Sequence, residues 1–149
     1  SLANIYRNNG GLETIFTNSW QQNQNMFKVL SDWYHCFTQI PAEPRVLRHI
    51  ANVDKGSACK RINMFVRWMV RKDSKGIDFG LWKNIPMAAL LIPLDLHTGN
   101  VSRQLGLLKR KQNESIAVKE LTERLREFDP TDPIRYDFAL FGLGAFTKE

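Results

Sequence analysis

Apolar residues recur at helical spacing through most of this 149-residue chain, and this periodicity constrains the fold more than any other feature. The clearest stripe follows the i, i+3, i+4, i+7, i+8, i+11 pattern of an amphipathic helix and consists of Met26, Val29, Leu30, Trp33, Tyr34 and Phe37. Similar stripes predict helices over about residues 22–39, 58–71 and 114–128, and from 133 onwards. The run from Met87 to Ile92 could form a strand, but no second candidate exists to pair with it, so we expect a short helix. The sequence therefore predicts an all-α fold.

Proline and capping residues predict where these helices begin and end. Pro41 and Pro44 are expected to end the helix over residues 22–39, because proline lacks the N–H group that a helix interior needs. Glu120 and Arg124 are expected to form an ion pair one turn apart. The predicted N-terminal caps are Ser57, Asp95 or Thr98, and Asp132, which Pro133 follows.

The amino-acid composition limits the kinds of protein that this chain can be. The 21 lysines and arginines exceed the 15 acidic residues, giving a net charge of +6 that favours a polyanionic partner. Cys36 and Cys59 cannot build a disulfide framework or a four-cysteine metal site, so we expect a reducing cytoplasm and no metal or organic cofactor. No apolar run reaches the roughly 18 residues that a membrane span needs. We expect one helical domain over residues 1–149 and no membrane association.

The helix predicted over residues 58–71 has a basic face. Ile62, Phe65, Val66 and Met69 are expected to face the core, which leaves four polar residues for solvent: Lys60, Asn63, Arg67 and Arg71. Together with Arg61, the basic members of this face could hold DNA phosphates, although most such stripes are only solvated faces. Trp68 or Trp82 could stack on an extruded base, with a core position as the plainer alternative.

Three motifs follow one another in an informative order. Gly56-Ser57-Ala58-Cys59-Lys60-Arg61 opens the basic helix, and Ile92-Pro93-Leu94-Asp95-Leu96-His97 and Val101-Ser102-Arg103-Gln104-Leu105-Gly106-Leu107 come later. In this order the chain resembles the helix-hairpin-helix DNA glycosylases related to endonuclease III, over about residues 54–108. In those proteins a lysine early in a helix precedes an aspartate in a pattern like Val-Asp-Thr-His, then an arginine and Leu-Gly-Leu.

The differences between this sequence and that pattern indicate one branch of the glycosylase superfamily. Asp54-Lys55-Gly56-Ser57 replaces the usual Leu-Pro-Gly-Val-Gly hairpin, and Lys60 and Asp95 are 35 residues apart because residues 72–91 are inserted. A long separation without iron–sulfur cysteines resembles the archaeal 8-oxoguanine glycosylase branch. The segments Arg67–Arg71, Phe79–Trp82 and Asp132–Asp137 are similar to motifs of a bacterial family of unassigned function. Its members are longer at the N-terminus, so we expect this chain to be the C-terminal part of a longer protein.

The resemblance implies a helical bundle of the glycosylase type and a function in base-excision repair. Lys60 would attack C1′ of a damaged nucleotide and form a Schiff base, while Asp95 would stabilise the oxocarbenium-like state. The positive end of the lysine's helix and Arg61 favour the neutral amine that this attack needs. The implied DNA contacts are Gly56, Ser57, Arg61, Arg67, Arg71, His97 and Arg103.

The implied partner is double-stranded DNA carrying an oxidised purine such as 8-oxoguanine, with no obligate protein partner and a place at the bacterial nucleoid. Two alternatives remain, a non-catalytic DNA-binding module on the same fold and a helical scaffold without a nucleic-acid role. The plain interpretation of Lys60 and Asp95 is an exposed lysine and an ordinary helix cap. Asp78-Phe79-Gly80 imitates a kinase magnesium motif by coincidence, with Phe79 expected in the core and Gly80 at a turn.

Overall fold

Helices provide all the regular secondary structure that the computed structural model shows in the residues it describes, 2–40 and 43–146. The predicted all-α class is therefore confirmed for this part of the chain. The helices are α1 (Leu2–Asn8), α2 (Leu12–Asn23), α3 (Met26–Phe37), α4 (Pro44–Leu47), α5 (Lys60–Val70), α6 (Leu96–Gln104), α7 (Ser115–Phe128) and α8 (Asp137–Phe146). None of the described helices is long and apolar enough to cross a lipid bilayer.

The chain divides into two compact units, Ser1–Ser57 and Ala58–Glu149. In the first unit α2 packs on α3, and α1 also contacts α3. The helix predicted over residues 22–39 is shorter, because Gln24 has a left-handed backbone (φ 47°) and the Asn25 side chain caps α3. Pro44 starts α4 and does not end α3, while Pro41 lies outside the described residues. That all residues form one domain stays a prediction.

The turn that ends the first unit is fixed by a carboxylate. Asp54 accepts hydrogen bonds from Ser31 Oγ at 2.9 Å and His35 Nε2 at 3.0 Å, both on α3. Gly56 follows with φ 84°, a left-handed conformation that glycine adopts without strain. The predicted turn at residues 54–57 is thus confirmed as a short 3₁₀ turn, Val53–Lys55, with a glycine at its end.

In the second unit α5 begins two residues later than predicted. Cys59, with φ 50°, occupies the cap position without a side-chain cap hydrogen bond, so the prediction that Ser57 caps this helix is wrong. The buried residues of the helix also differ from the predicted set, which held Ile62, Phe65, Val66 and Met69. They are Asn63, Val66, Arg67 and Val70.

The inserted segment, residues 72–91, packs back along the end of α5. The carbonyl of Trp68 accepts the N–H groups of Phe79 at 2.8 Å and Gly80 at 3.3 Å, and that of Met69 accepts Trp82 N–H at 2.8 Å. The helix predicted over Met87–Ile92 is reduced to a 3₁₀ turn, Met87–Ala89. The chain then runs extended, because the buried Ile92 N–H finds the Thr122 hydroxyl at 3.1 Å.

The three C-terminal helices lie close to their predicted positions. Asp95 caps α6 by accepting the Thr98 N–H at 2.8 Å, as predicted. The last helix starts later than expected, since Pro133–Tyr136 form a 3₁₀ turn before α8. The predicted Glu120–Arg124 pair is wrong. Glu120 instead accepts the Lys109 N–H at 2.6 Å, and Arg124 pairs with Glu127 at 2.7 Å.

Gly144 allows α6 and α8 to approach each other closely. A Cβ atom at this position would lie 2.7 Å from the His97 carbonyl oxygen, whereas one at Gly142 would meet nothing within 4 Å. We expect Gly144→Ala to lower the free energy of unfolding by about 1–3 kcal/mol, because backbone atoms would have to move apart. Gly142→Ala is the matched control and should be neutral or stabilising by up to about 1 kcal/mol. Urea titration of both variants measures this difference, and equal effects would show that the close contact carries no energy.

Candidate active site

The two residues singled out by the motifs meet in the structure. Lys60 is the first residue of α5, Asp95 caps α6, and Lys60 Nζ donates a hydrogen bond to Asp95 Oδ2 at 3.0 Å. The Lys60 side chain is 44% exposed and that of Asp95 only 12%. An exposed ammonium group therefore contacts a carboxylate that is largely buried.

Both residues line a cavity of about 210 Å³ within the second unit. Two further charged residues lie in its wall, Arg67 on α5 and Asp137 at the first residue of α8. Thr98 and four apolar side chains complete the lining, and the apolar ones are Met64, Pro93, Phe138 and Phe141. Such a mixture of apolar walls and a few convergent polar groups is typical of sites that hold a small organic group.

Asp95 is kept ionised by its surroundings. Partial burial opposes its charge, but the Thr98 N–H and the Lys60 ammonium group outweigh this and hold the pKa of the carboxyl below its usual range. Its backbone carbonyl is also fixed, because Asn113 Nδ2 donates to it at 2.9 Å. Asp95 is thus a positioned anion within proton-transfer distance of an amine.

Asp137 has the opposite character. Burial raises the pKa of its carboxyl to about 6, and the nearby Asp95 and Asp78 charges add to the shift, although the Arg67 guanidinium group works against it. Arg67 Nη1 donates a hydrogen bond to Asp137 Oδ2. Two carboxyl groups with separated pKa values thus face one cavity, which is the arrangement that acid–base chemistry uses.

Arg67 and Arg71 do not form an exposed basic face. Arg67 is 4% exposed, and its Nε donates to Asp78 at 3.1 Å in addition to its bond with Asp137. Arg71 donates to Asp132 and Asp78, both at 2.8 Å. The predicted solvent exposure of both arginines is wrong, because carboxylates from distant parts of the chain neutralise them. Phosphate contact by either arginine is therefore not supported.

The predicted stacking tryptophans are not the aromatic residues of the cavity. Trp82 is 6% exposed and packs edge-on against Phe65 with ring centroids 5.6 Å apart, so it belongs to the core. Trp68 does not line the cavity. Phe138 and Phe141 do line it, and the Arg67 guanidinium carbon lies 4.6 Å from the centre of the Phe138 ring.

The remaining predicted contacts are distributed around the second unit. Arg61 is exposed beside Lys60. The His97 Nδ1–H donates to the Gly144 carbonyl at 3.1 Å, and its phosphate contact stays a prediction. Arg103 donates to Asn113 Oδ1 at 2.6 Å and to the Arg110 carbonyl at 2.6 Å. Arg103 thereby orients the amide that holds the Asp95 backbone.

Gly56 and Ser57 lie in the first unit. Their N–H groups already donate within the turn, to Val53 O at 2.9 Å and Asn52 O at 3.2 Å. Phosphate binding through these backbone donors is therefore not supported. Arg48 and Lys55 line a cavity of about 640 Å³ beside the same turn.

Sequence reasoning missed Asp137, Phe138 and Phe141 as site residues. Asp137 is the last residue of the Asp132–Asp137 segment noted in the sequence. Its place in the site, however, depends on packing near Asp95, which lies 42 residues earlier in the chain. Phe138 and Phe141 belong to the last predicted helix and are 44% and 41% exposed. The spacing of apolar residues along a helix does not distinguish a core position from one in a cavity wall. Among the described residues, no three His, Cys, Asp or Glu side chains are grouped to hold a metal ion.

Residues 1–146 match the family model described as "Protein of unknown function (DUF2400)". The match includes every residue that lines the cavity. No curated protein matches the chain, and no solved structure matches it. The glycosylase resemblance therefore stays a prediction.

The raised pKa of Asp137 predicts a specific pH dependence of stability. Its carboxyl ionises near 3.8 in the unfolded chain and near 6 in the folded protein. The folded state thus binds the extra proton between these values, and the free energy of unfolding should fall by about 2 kcal/mol as the pH rises from about 4 to 6. Urea titrations should show this fall for the wild type relative to Asp137→Asn.

Asp129→Asn is the control for that measurement. The pKa of Asp129 is lowered to about 2, chiefly by its hydrogen bond with Arg135. Its stabilising contribution is fully present above the pKa that this carboxyl has in the unfolded chain, and it is lost only at lower pH. The difference in the free energy of unfolding between the wild type and Asp129→Asn should stay nearly constant between pH 4 and 6. If the difference between the wild type and Asp137→Asn were also constant over this range, the Asp137 carboxyl would have an ordinary pKa.

Proposed function

The chain belongs to the DUF2400 family, and we propose that it is a DNA glycosylase with abasic-site lyase activity on an oxidised purine. The observation that carries this proposal is the 3.0 Å contact between Lys60 Nζ and Asp95 Oδ2 inside an aromatic-walled cavity. An amine beside an ionised carboxylate is the minimum that Schiff-base chemistry requires. The order of the motifs around both residues agrees with this chemistry.

The proposed reaction begins with a proton transfer. Asp95 accepts a proton from the Lys60 ammonium group, which leaves a lone pair on Nζ. That lone pair attacks C1′, and the bond from C1′ to the base nitrogen breaks with its electron pair leaving on the base. Nζ then loses a proton, and the bond from C1′ to O4′ breaks with its electron pair leaving on O4′, which takes up a proton, so that an imine forms between Nζ and C1′. Loss of a C2′ proton from that imine forms a C2′–C3′ double bond while the bond from C3′ to the 3′ phosphate oxygen breaks. The DNA strand is thus cut without an oxidant or reductant.

The leaving base needs a proton, and the cavity contains a second carboxyl that can carry one. Asp137, with its pKa raised to about 6 mainly by burial, is partly protonated near neutral pH, whereas Asp95 is ionised until it accepts the Lys60 proton. The two carboxyl groups therefore divide the acid and base roles. In this proposal Asp137 donates to the departing purine, and Arg67 holds it in place.

The aromatic wall suits a flipped base. Phe138 and Phe141 are each about two-fifths exposed and line the cavity together with Met64. A purine extruded from the duplex would exchange its stacking neighbours for these rings. The net charge of +6 and the exposed Arg61 favour attraction of the phosphate backbone.

A non-catalytic DNA-binding module is the second candidate. Asp95 already caps α6, so its contact with Lys60 is also compatible with an ion pair that only joins the starts of α5 and α6. Arg61 would contact DNA in the same way in both cases. Covalent chemistry therefore distinguishes the candidates better than DNA binding does.

Borohydride trapping tests the proposal. On a duplex containing 8-oxoguanine or an abasic site, reduction of the imine should link the wild-type protein covalently to DNA. Lys60→Gln should abolish the linkage, and Asp95→Asn should slow it by about 10²–10⁴-fold, since a base at the amine is lost. Lys119→Gln removes an exposed lysine on α7 and is the matched control.

Three results would contradict the proposal. The wild type could give no linkage on either duplex, Lys60→Gln could be trapped as efficiently as the wild type, or Lys119→Gln could lose trapping to the same extent. DNA binding by the wild type without any linkage would favour the non-catalytic module. Mass spectrometry of the trapped peptide identifies the lysine directly.

A further inference from the structure

Residues 77–83 present an apolar ridge on the second unit. Ile77, Phe79 and Leu81 are 43%, 59% and 62% exposed, although burial of each apolar side chain would stabilise the folded protein. The residues between them, at positions 78, 80 and 82, are buried. This alternation is that of an extended segment with one face turned to solvent. The expectation that Phe79 lies in the core is therefore wrong.

The inner face of this segment is fixed by interactions that prevent the ridge from turning inward. The Asp78 carboxylate is fully buried between Arg67 Nε and Arg71 Nη1, at 3.1 and 2.8 Å. Gly80 has φ 58°, and a Cβ there would lie 2.8 Å from Lys72 Cβ. A shift by one residue would expose the Asp78 carboxylate and bury Phe79, which would leave both arginines without this partner.

Ammonium groups border the ridge, and the carboxylates of the segment are already paired with Arg71 and, for Asp73, with backbone N–H groups. Lys72, Lys75 and Lys83 are exposed, and no carboxylate among the described residues pairs with them. Asp73 and Asp78 both face Arg71, at 3.6 and 2.8 Å. A row of apolar side chains with lysines around it is complementary to DNA, where bases offer apolar faces and phosphates offer negative charge.

Arg67 connects the ridge to the cavity. One side of its guanidinium group holds Asp78, which fixes the ridge, and the other holds Asp137, which lines the cavity. Both features also use α5, since the ridge bonds to the Trp68 and Met69 carbonyls and the cavity contains Lys60 and Met64. The ridge thus has a fixed position relative to the candidate active site.

We propose that the ridge is a DNA wedge, with Phe79 entering the base stack where the damaged nucleotide leaves it. Ile77 and Leu81 cover the neighbouring bases, while Lys72 and Lys75 contact phosphates. The wedge rests on the proposed glycosylase function, because a base that is extruded leaves a gap to fill. A protein partner on the same ridge would leave DNA binding independent of Phe79.

The test uses a duplex with a stable abasic analogue and 2-aminopurine as its neighbour. Wild-type protein should bind it and change the 2-aminopurine fluorescence, because an inserted ring alters stacking at that step. Phe79→Ala should weaken binding about tenfold and abolish the fluorescence change, and Phe79→Trp should retain both. Ile116→Ala removes an equally exposed apolar side chain on α7 and should bind like the wild type.

The lysines give an independent readout. Lys75→Gln should reduce the slope of log affinity against log salt by about one, because one phosphate contact is lost. Lys119→Gln should leave the slope unchanged. Unfolding of each variant, followed by circular dichroism, confirms that these exposed substitutions keep the fold.

The outcomes distinguish the DNA wedge from the glycosylase activity. The wedge is overturned, and the glycosylase proposal stands, if the wild type is trapped by borohydride while Phe79→Ala matches Ile116→Ala in affinity and fluorescence. The wedge stands and the activity fails if Phe79 controls DNA binding but no linkage forms. An absence of wild-type binding to the duplex overturns both proposals.

Discussion

The guanidinium group of Arg67 lies inside the second unit with a carboxylate on each side. Asp78 and Asp137 accept its hydrogen bonds, and the three side chains are 9% exposed or less. Removing one partner from such a buried arrangement costs about 3–5 kcal/mol, because the charge that remains has no solvent to compensate it. The inserted segment and the start of α8 are therefore held by the same arginine, and their positions depend on each other.

This interaction also determines what the cavity can do. Arg67 stabilises the ionised form of Asp137, yet burial dominates and the pKa of that carboxyl is still raised. The pKa of Asp95 is lowered, since the Thr98 N–H and Lys60 outweigh the effect of its burial. A cavity with one carboxyl of each kind, beside an amine, has the groups that a Schiff-base glycosylase needs. The proposed activity follows from this contrast in environment between two acidic residues.

The sequence predicted the helices better than the surfaces they present. Apolar periodicity located α3, α5, α7 and α8 to within a few residues, and the motifs paired Lys60 with Asp95 across 35 residues of chain. The orientation of Arg67 could not be predicted, because Asp137 lies 70 residues away and a basic residue on a helix is usually exposed. Phe79 was misplaced for the same reason, since the burial of Asp78 turns its neighbour outward.

Amide hydrogen exchange in Arg67→Lys tests the shared role of this arginine most directly. A lysine has a single nitrogen at its end, so it cannot hold both carboxylates in the geometry of a guanidinium group. We predict that the Phe79 and Trp82 amides of the insert and the amides of the first full turn of α8 lose protection together, while α7 keeps its protection. Loss of protection in only one of the two regions, or in neither, would contradict the claim that Arg67 holds the ridge and the cavity as one arrangement.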